Sequence, residues 1–147
     1  VEKQVLITVD SVMDDMNGEN SSMSLVTEGR LSVENDEYVL SYEESQITGL
    51  DGTTTVIRAT SDSVTLIRHG SVSSMMLFEE GKTHLTDYRT QYGSIILGIT
   101  ARKVDVDMNE NGGHINVDYI VEYNRVYGGR NSISVKIQEL AGRHSPS

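Results

Sequence analysis

Arg68 is the residue best placed to do chemistry in this chain, because of the residues it follows. Val64 and Leu66 precede it at two-residue spacing, so a guanidinium occupies a position where the pattern expects an apolar side chain. Tyr42 stands in the same relation to Tyr38 and Leu40, and Tyr119 and Tyr123 lie among Ile115, Val117 and Val121. In a further run His84, Thr86 and Tyr88 share one face, although Leu85 on the opposite face leaves the direction of that run open. A cation and several phenols on otherwise apolar faces can hold the polar or anionic end of a small molecule while aliphatic neighbours enclose the rest. The competing use is internal. A buried arginine needs partners, and tyrosines, Asp or Glu can supply them, or the arginine can stand at a mouth open to water.

Other groupings fit known chemistries less well. Arg68-His69-Gly70 matches the phosphate-holding signature of histidine phosphatases, in which a histidine attacks phosphorus while arginines hold the oxygens. There the motif ends the first parallel strand of an α/β fold. Here it lies in mid-chain between two extended runs, where a hairpin bend at Gly70 with His69 exposed accounts for it. Asp105, Asp107, Asn109 and Asn111 set oxygens at alternate positions, like the start of a calcium loop. That loop needs glycine at its sixth position and glutamate at its twelfth, where this chain has Glu110 and Asn116. The histidines His69, His84, His114 and His144 show no HxH, HxxxH or HExxH spacing, and cysteine is absent, so no metal site and no cofactor is expected. No GxSxG, Walker or GxGxxG pattern occurs. An enzyme is the least favoured class, and no catalytic residue is assigned.

The elements that would position these side chains are strands. Alternation of apolar and polar residues runs through almost the whole chain, as in Val5, Ile7 and Val9, in Thr55, Ile57 and Ala59, and in Ile95, Leu97, Ile99 and Ala101. Met23, Leu25 and Leu31 share a face, as do Met76 and Phe78, and Ile133, Val135 and Ile137 close the series. Turn residues separate the runs at Asn17-Gly18, Asn35-Asp36, Gly49 to Gly52, Ser61-Asp62 and His69-Gly70. They continue at Glu80-Gly81, Tyr92-Gly93, Asn109 to Gly113 and Gly128-Gly129. The one proline, Pro146, lies in the tail and interrupts no strand. Short links without crossover helices imply an up-and-down antiparallel meander, and closure into an all-β barrel of about eight to ten strands buries its apolar face. Residues 1–140 form a single barrel domain on this reading, with 141–147 a flexible tail.

At 147 residues the chain has the length of one domain. Its net charge of −10 would repel phosphate backbones and anionic lipid headgroups, so neither nucleic acid nor a membrane is an expected partner. The excess is uneven: residues 1–62 carry 13 acidic against 3 basic residues, while the remainder is balanced. That region can attract a cationic partner, but solvated strand edges and loops are its plainer use. No apolar stretch is long enough to span a membrane, and no basic start leads into an apolar core, so the expected location is the cytoplasm.

The run VTLIRHGSVSSMMLFEEGKTHLTDYRTQYGSIILGITARKVDV, followed by GGHINVDYIVEY, resembles the YwiB-like family of small bacterial proteins. The resemblance rests on Arg68-x-Gly70, Met76-x-Phe78, Tyr88-x-Thr90-x-Tyr92-Gly93, Thr100 and a late glycine before Ile115-x-Val117-x-Tyr119, with Tyr42-Glu43-Glu44 in the third strand. It covers the chain from about Val5 to Leu140. The resemblance implies a lipocalin-like (calycin) β-barrel and, by analogy of fold, a role in binding small molecules. It brings no catalytic residue, and His69 beside Arg68 departs from the family pattern.

Two functions follow. The leading one is a barrel that binds a small amphipathic or anionic molecule, with Arg68, Tyr42, His84, Tyr88, Tyr119 and Tyr123 as candidate interior contacts; it expects a cavity of a few hundred Å³. The alternative is an interaction module whose barrel is filled by side chains; it expects native packing and no large void.

Overall fold

A computed structural model of the chain describes residues 2–15, 17–45 and 50–140. Ten strands form a closed barrel: β1 (Glu2–Asp14), β2 (Asn20–Glu34), β3 (Glu37–Glu43), β4 (Thr53–Ala59), β5 (Ser63–Gly70), β6 (Val72–Glu79), β7 (Thr83–Thr90), β8 (Gly93–Asn109), β9 (Gly112–Tyr123) and β10 (Val126–Glu139). Every strand pairs antiparallel with its neighbours in sequence, and β10 closes the barrel on β1, with Ile7 opposite Ile137 and Val9 opposite Val135. The meander expected from the alternation is the architecture found. The expected tail, 141–147, and Gly49 of the third loop lie outside the described residues.

Alternation decides which side chains point inward. Val5, Ile7, Leu40, Ile57, Ile99 and Val135 are all buried in one cluster, and their sequence neighbours face out. The open question over β7 is resolved: Leu85 is exposed on the outer wall, while His84, Thr86 and Tyr88 are half-buried. Asn35 and Asp36 take positive φ of 51° and 67°, the twist that a two-residue hairpin needs.

Two local irregularities depart from the sequence pattern. Gly128-Gly129 is not the last turn. That turn is Asn124-Arg125, at φ 51° and 69°, and the glycines form a register shift inside β10 between Tyr127 and Gly129. A Cβ at Gly128 would lie 2.3 Å from the Tyr123 ring, so the glycine makes room for that ring. In β8 a second shift falls between Ala101 and Lys103. The inward set therefore changes from Ile95, Leu97, Ile99 and Ala101 to Val104, Val106 and Met108.

One seam of the barrel is short. β6 and β7 pair through Val72–Thr90 and Ser73–Arg89. Lower down, Glu79 and His84 bridge the two strands, with Nε2 of His84 3.0 Å from Oε1 of Glu79. Among the described residues no helix is long and apolar enough to cross a membrane.

Candidate functional site

The up-and-down order gathers alternate turns at each end of the barrel. The end carrying the β2–β3, β4–β5, β6–β7 and β8–β9 turns is solid. Val5, Ile7, Leu31, Leu40 and Phe78 are essentially inaccessible there. Gly29 is part of that fit, since a Cβ on it would come within 2.4 Å of the Ile7 Cδ1 methyl. The opposite end, toward the β1–β2, β3–β4 and β9–β10 turns, encloses a cavity of about 420 Å³. Inward positions here carry small or polar side chains, such as Ser11, Ser21 and Asn131, which leave volume that larger residues would fill. Leu25, Ile57, Leu66, Met76, Leu97 and Val121 form the apolar wall. Phe78, in the solid end, packs against the cavity-lining Tyr119 with ring centroids 4.8 Å apart.

A polar row crosses this wall. Strand register sets Tyr42 of β3 opposite Thr55 of β4, Thr55 opposite Arg68 of β5, and Arg68 opposite Ser74 of β6. Glu44, two residues beyond Tyr42, belongs to the same cluster, and its backbone N–H donates to the Thr53 carbonyl at 2.9 Å. The Glu44 side chain is 2% exposed and that of Arg68 19%, so the row holds one buried acid and one nearly buried base. Thr55 Oγ1 donates to Glu44 Oε2 at 2.5 Å. Arg68 Nε stands 4.0 Å from that same oxygen: near enough for charge attraction, too far for a hydrogen bond. Arg68 Nε and the Ser74 hydroxyl are buried without a hydrogen-bond partner among the described residues.

The tyrosines report the same electrostatics. Burial pushes the Tyr42 phenol far above its ordinary pKa, the Glu44 carboxylate adds to the rise, and Arg68 opposes it. Burial likewise raises Tyr119, against the opposing effects of a hydrogen bond with Asn131 and the charge of Arg68. Asn131 Nδ2 donates to the Tyr119 hydroxyl at 3.4 Å. Arg68 is thus felt by Tyr42 on one side of the cavity and Tyr119 on the other.

Of the six residues expected in the interior, the fold brings Arg68, Tyr42, Tyr88, Tyr119 and Tyr123 to the cavity, with Tyr123 half-exposed at its rim. His84 is not among them. It sits four residues below Tyr88 on β7, roughly 13 Å along the strand, and bonds Glu79 toward the solid end. The sequence pattern by itself gives no role at the site to Glu44 or Thr55. Their signal was phase: Glu44 continues Tyr38, Leu40 and Tyr42, and Thr55 begins the inward set of β4. Asp105, Asp107 and Asn109 lie exposed along β8, and no group of three or more His, Asp or Glu among the described residues is placed to hold a metal ion.

Comparison with known proteins agrees with this architecture. A family profile described as a domain of unknown function, DUF1934, matches residues 7–135. The uncharacterised β-barrel protein YwiB of Bacillus subtilis (strain 168) is 25% identical over 118 residues, covering 80% of this chain and 81% of that one. The crystal structure of the Bacillus subtilis ywiB protein superposes with a TM-score of 0.73 at 20% identity and covers 92% of each chain.

Proposed function

The chain belongs to the DUF1934 family, and from that premise we propose that it is a lipocalin-like barrel that binds one small amphipathic molecule in its hollow end. Arg68, Tyr42 and Tyr119 meet the polar end of the ligand, and the aliphatic wall takes the rest. The observation that carries this reading is the conjunction of a cavity of about 420 Å³ with a largely buried Arg68 among its lining residues. Cavities of this size suit small organic ligands, and a guanidinium at the edge of an apolar wall can donate to the polar end of one. A barrel filled by side chains, the alternative expectation, would have no void of this size. Given a net charge of −10, this reading calls for no nucleic-acid or membrane partner, and it assigns the work to the cytoplasm.

Native mass spectrometry of gently purified protein, set against the denatured mass, tests this. The expected result is a discrete adduct of small-molecule mass that leaves on denaturation and can be extracted. A clean apo mass, unchanged after incubation with amphiphiles and cell extract, contradicts it.

A further inference from the structure

The charge balance around Arg68 narrows the class of ligand, on the premise that the cavity is a binding site. Arg68 already has a counter-ion. Glu44 is more deeply buried still, stands 4.0 Å from Nε, and is held in place by the Thr55 hydroxyl rather than by the guanidinium. The pair leaves the cavity wall with no net charge, while the guanidinium, its side chain 19% exposed, still borders the cavity. What that bordering guanidinium can take is an acceptor, and with Glu44 beside it the acceptor need not be an anion. A carboxylate ligand would supply the acceptor but add a second negative charge close to Glu44, where little water screens the repulsion. A carbonyl oxygen supplies the acceptor and leaves the balance unchanged. The Tyr119 hydroxyl, which accepts from Asn131, keeps its own proton to donate to a molecule in the cavity it lines.

We propose that the hollow end selects an uncharged ligand, an apolar chain ending in a carbonyl group such as a primary amide or ester, over the corresponding fatty-acid anion, and that Glu44 sets this preference. Octanamide and octanoate form a matched pair of probes, since they share a chain and differ in charge at neutral pH.

Calorimetric titration of the full chain with each probe at pH 7.5 and low salt tests the proposal, alongside the same titrations of Glu44→Gln. The wild type is expected to bind octanamide at least about tenfold more tightly than octanoate. In Glu44→Gln, which keeps an acceptor for Thr55 and removes the charge, octanoate should gain about tenfold or more while octanamide changes little. Equal or tighter binding of octanoate by the wild type overturns the proposal and leaves the binding role standing. An unchanged ratio in a folded Glu44→Gln variant overturns the part assigned to Glu44. Should that variant not fold, the wild-type ratio decides. Binding of neither probe overturns this inference, while the binding role stands or falls on the native mass spectrum.

Discussion

The two ends of the barrel are made by the same strands and the same alternation, yet one is solid and the other hollow. On β10, Ile137 is buried against Val5 and Ile7, whereas Ile133, four residues earlier, faces the cavity and is only partly covered. On β6, Phe78 fills the solid end and Ser74, four residues earlier, fills little. Side-chain volume at inward positions differs between the two ends. A barrel of ten strands is wider than side chains of average size can fill, so closing one end takes Phe78, a glycine at 29 and a ring of branched aliphatics. Where Ser11, Ser21 and Asn131 replace such residues, space remains. The buried ionisable groups Glu44 and Arg68 lie at the hollow end.

Substitutions at matched positions can break this contrast. Ile137→Ala should cost about 3 kcal/mol, since tightly packed neighbours cannot collapse into the gap; urea denaturation would measure it, and a cost below about 1 kcal/mol would mean that the solid end is not solid. Arg68→Met should come next, at about 2 kcal/mol, because it leaves the Glu44 carboxylate buried without its counter-ion. Adding Glu44→Gln should recover more than half of that loss, and a double-mutant cycle reads the coupling directly. If the two effects simply add, the pair is not coupled. Ile133→Ala should cost only about 1 kcal/mol, because its side chain already borders a void and loses little buried area.

The smallest effect concerns pH. The folded state holds the Tyr42 phenol protonated well above its usual value of 10.0. Stability from this group is complete below that value and is lost as pH rises beyond it, since the unfolded chain releases the proton first. Denaturant midpoints should therefore fall above pH 10, less steeply in Tyr42→Phe than in the wild type. Identical slopes would show that Tyr42 is not buried as described.

Most of the frame is legible in the chain because a period of two is a strong signal and the turns carry Asn and Gly. Arg68 and the tyrosines could be found because each breaks an apolar series in phase. The misreadings have local causes. Gly128-Gly129 looks like a turn by composition, but the demand for glycine there comes from the Tyr123 ring, a neighbour that no sequence window shows. Arg125 accepts positive φ in a hairpin, which residue preferences do not anticipate. His84 shares a face with Tyr88, but facing inward does not say at which height a side chain meets the cavity. Glu44 was hidden among many acidic residues; only the pairing of β3 with β4 and of β4 with β5 brings it to Arg68.

The contrast between the two ends is tested most directly by methyl NMR of the full chain titrated with octanamide. Binding in the hollow end predicts progressive shifts at Leu25, Ile95, Leu97 and Ile133, with Ile7, Ile115 and Ile137 unmoved. Shifts centred on Ile7 and Ile137, shifts confined to outward residues such as Leu85 and Val26, or no shifts at all would contradict it.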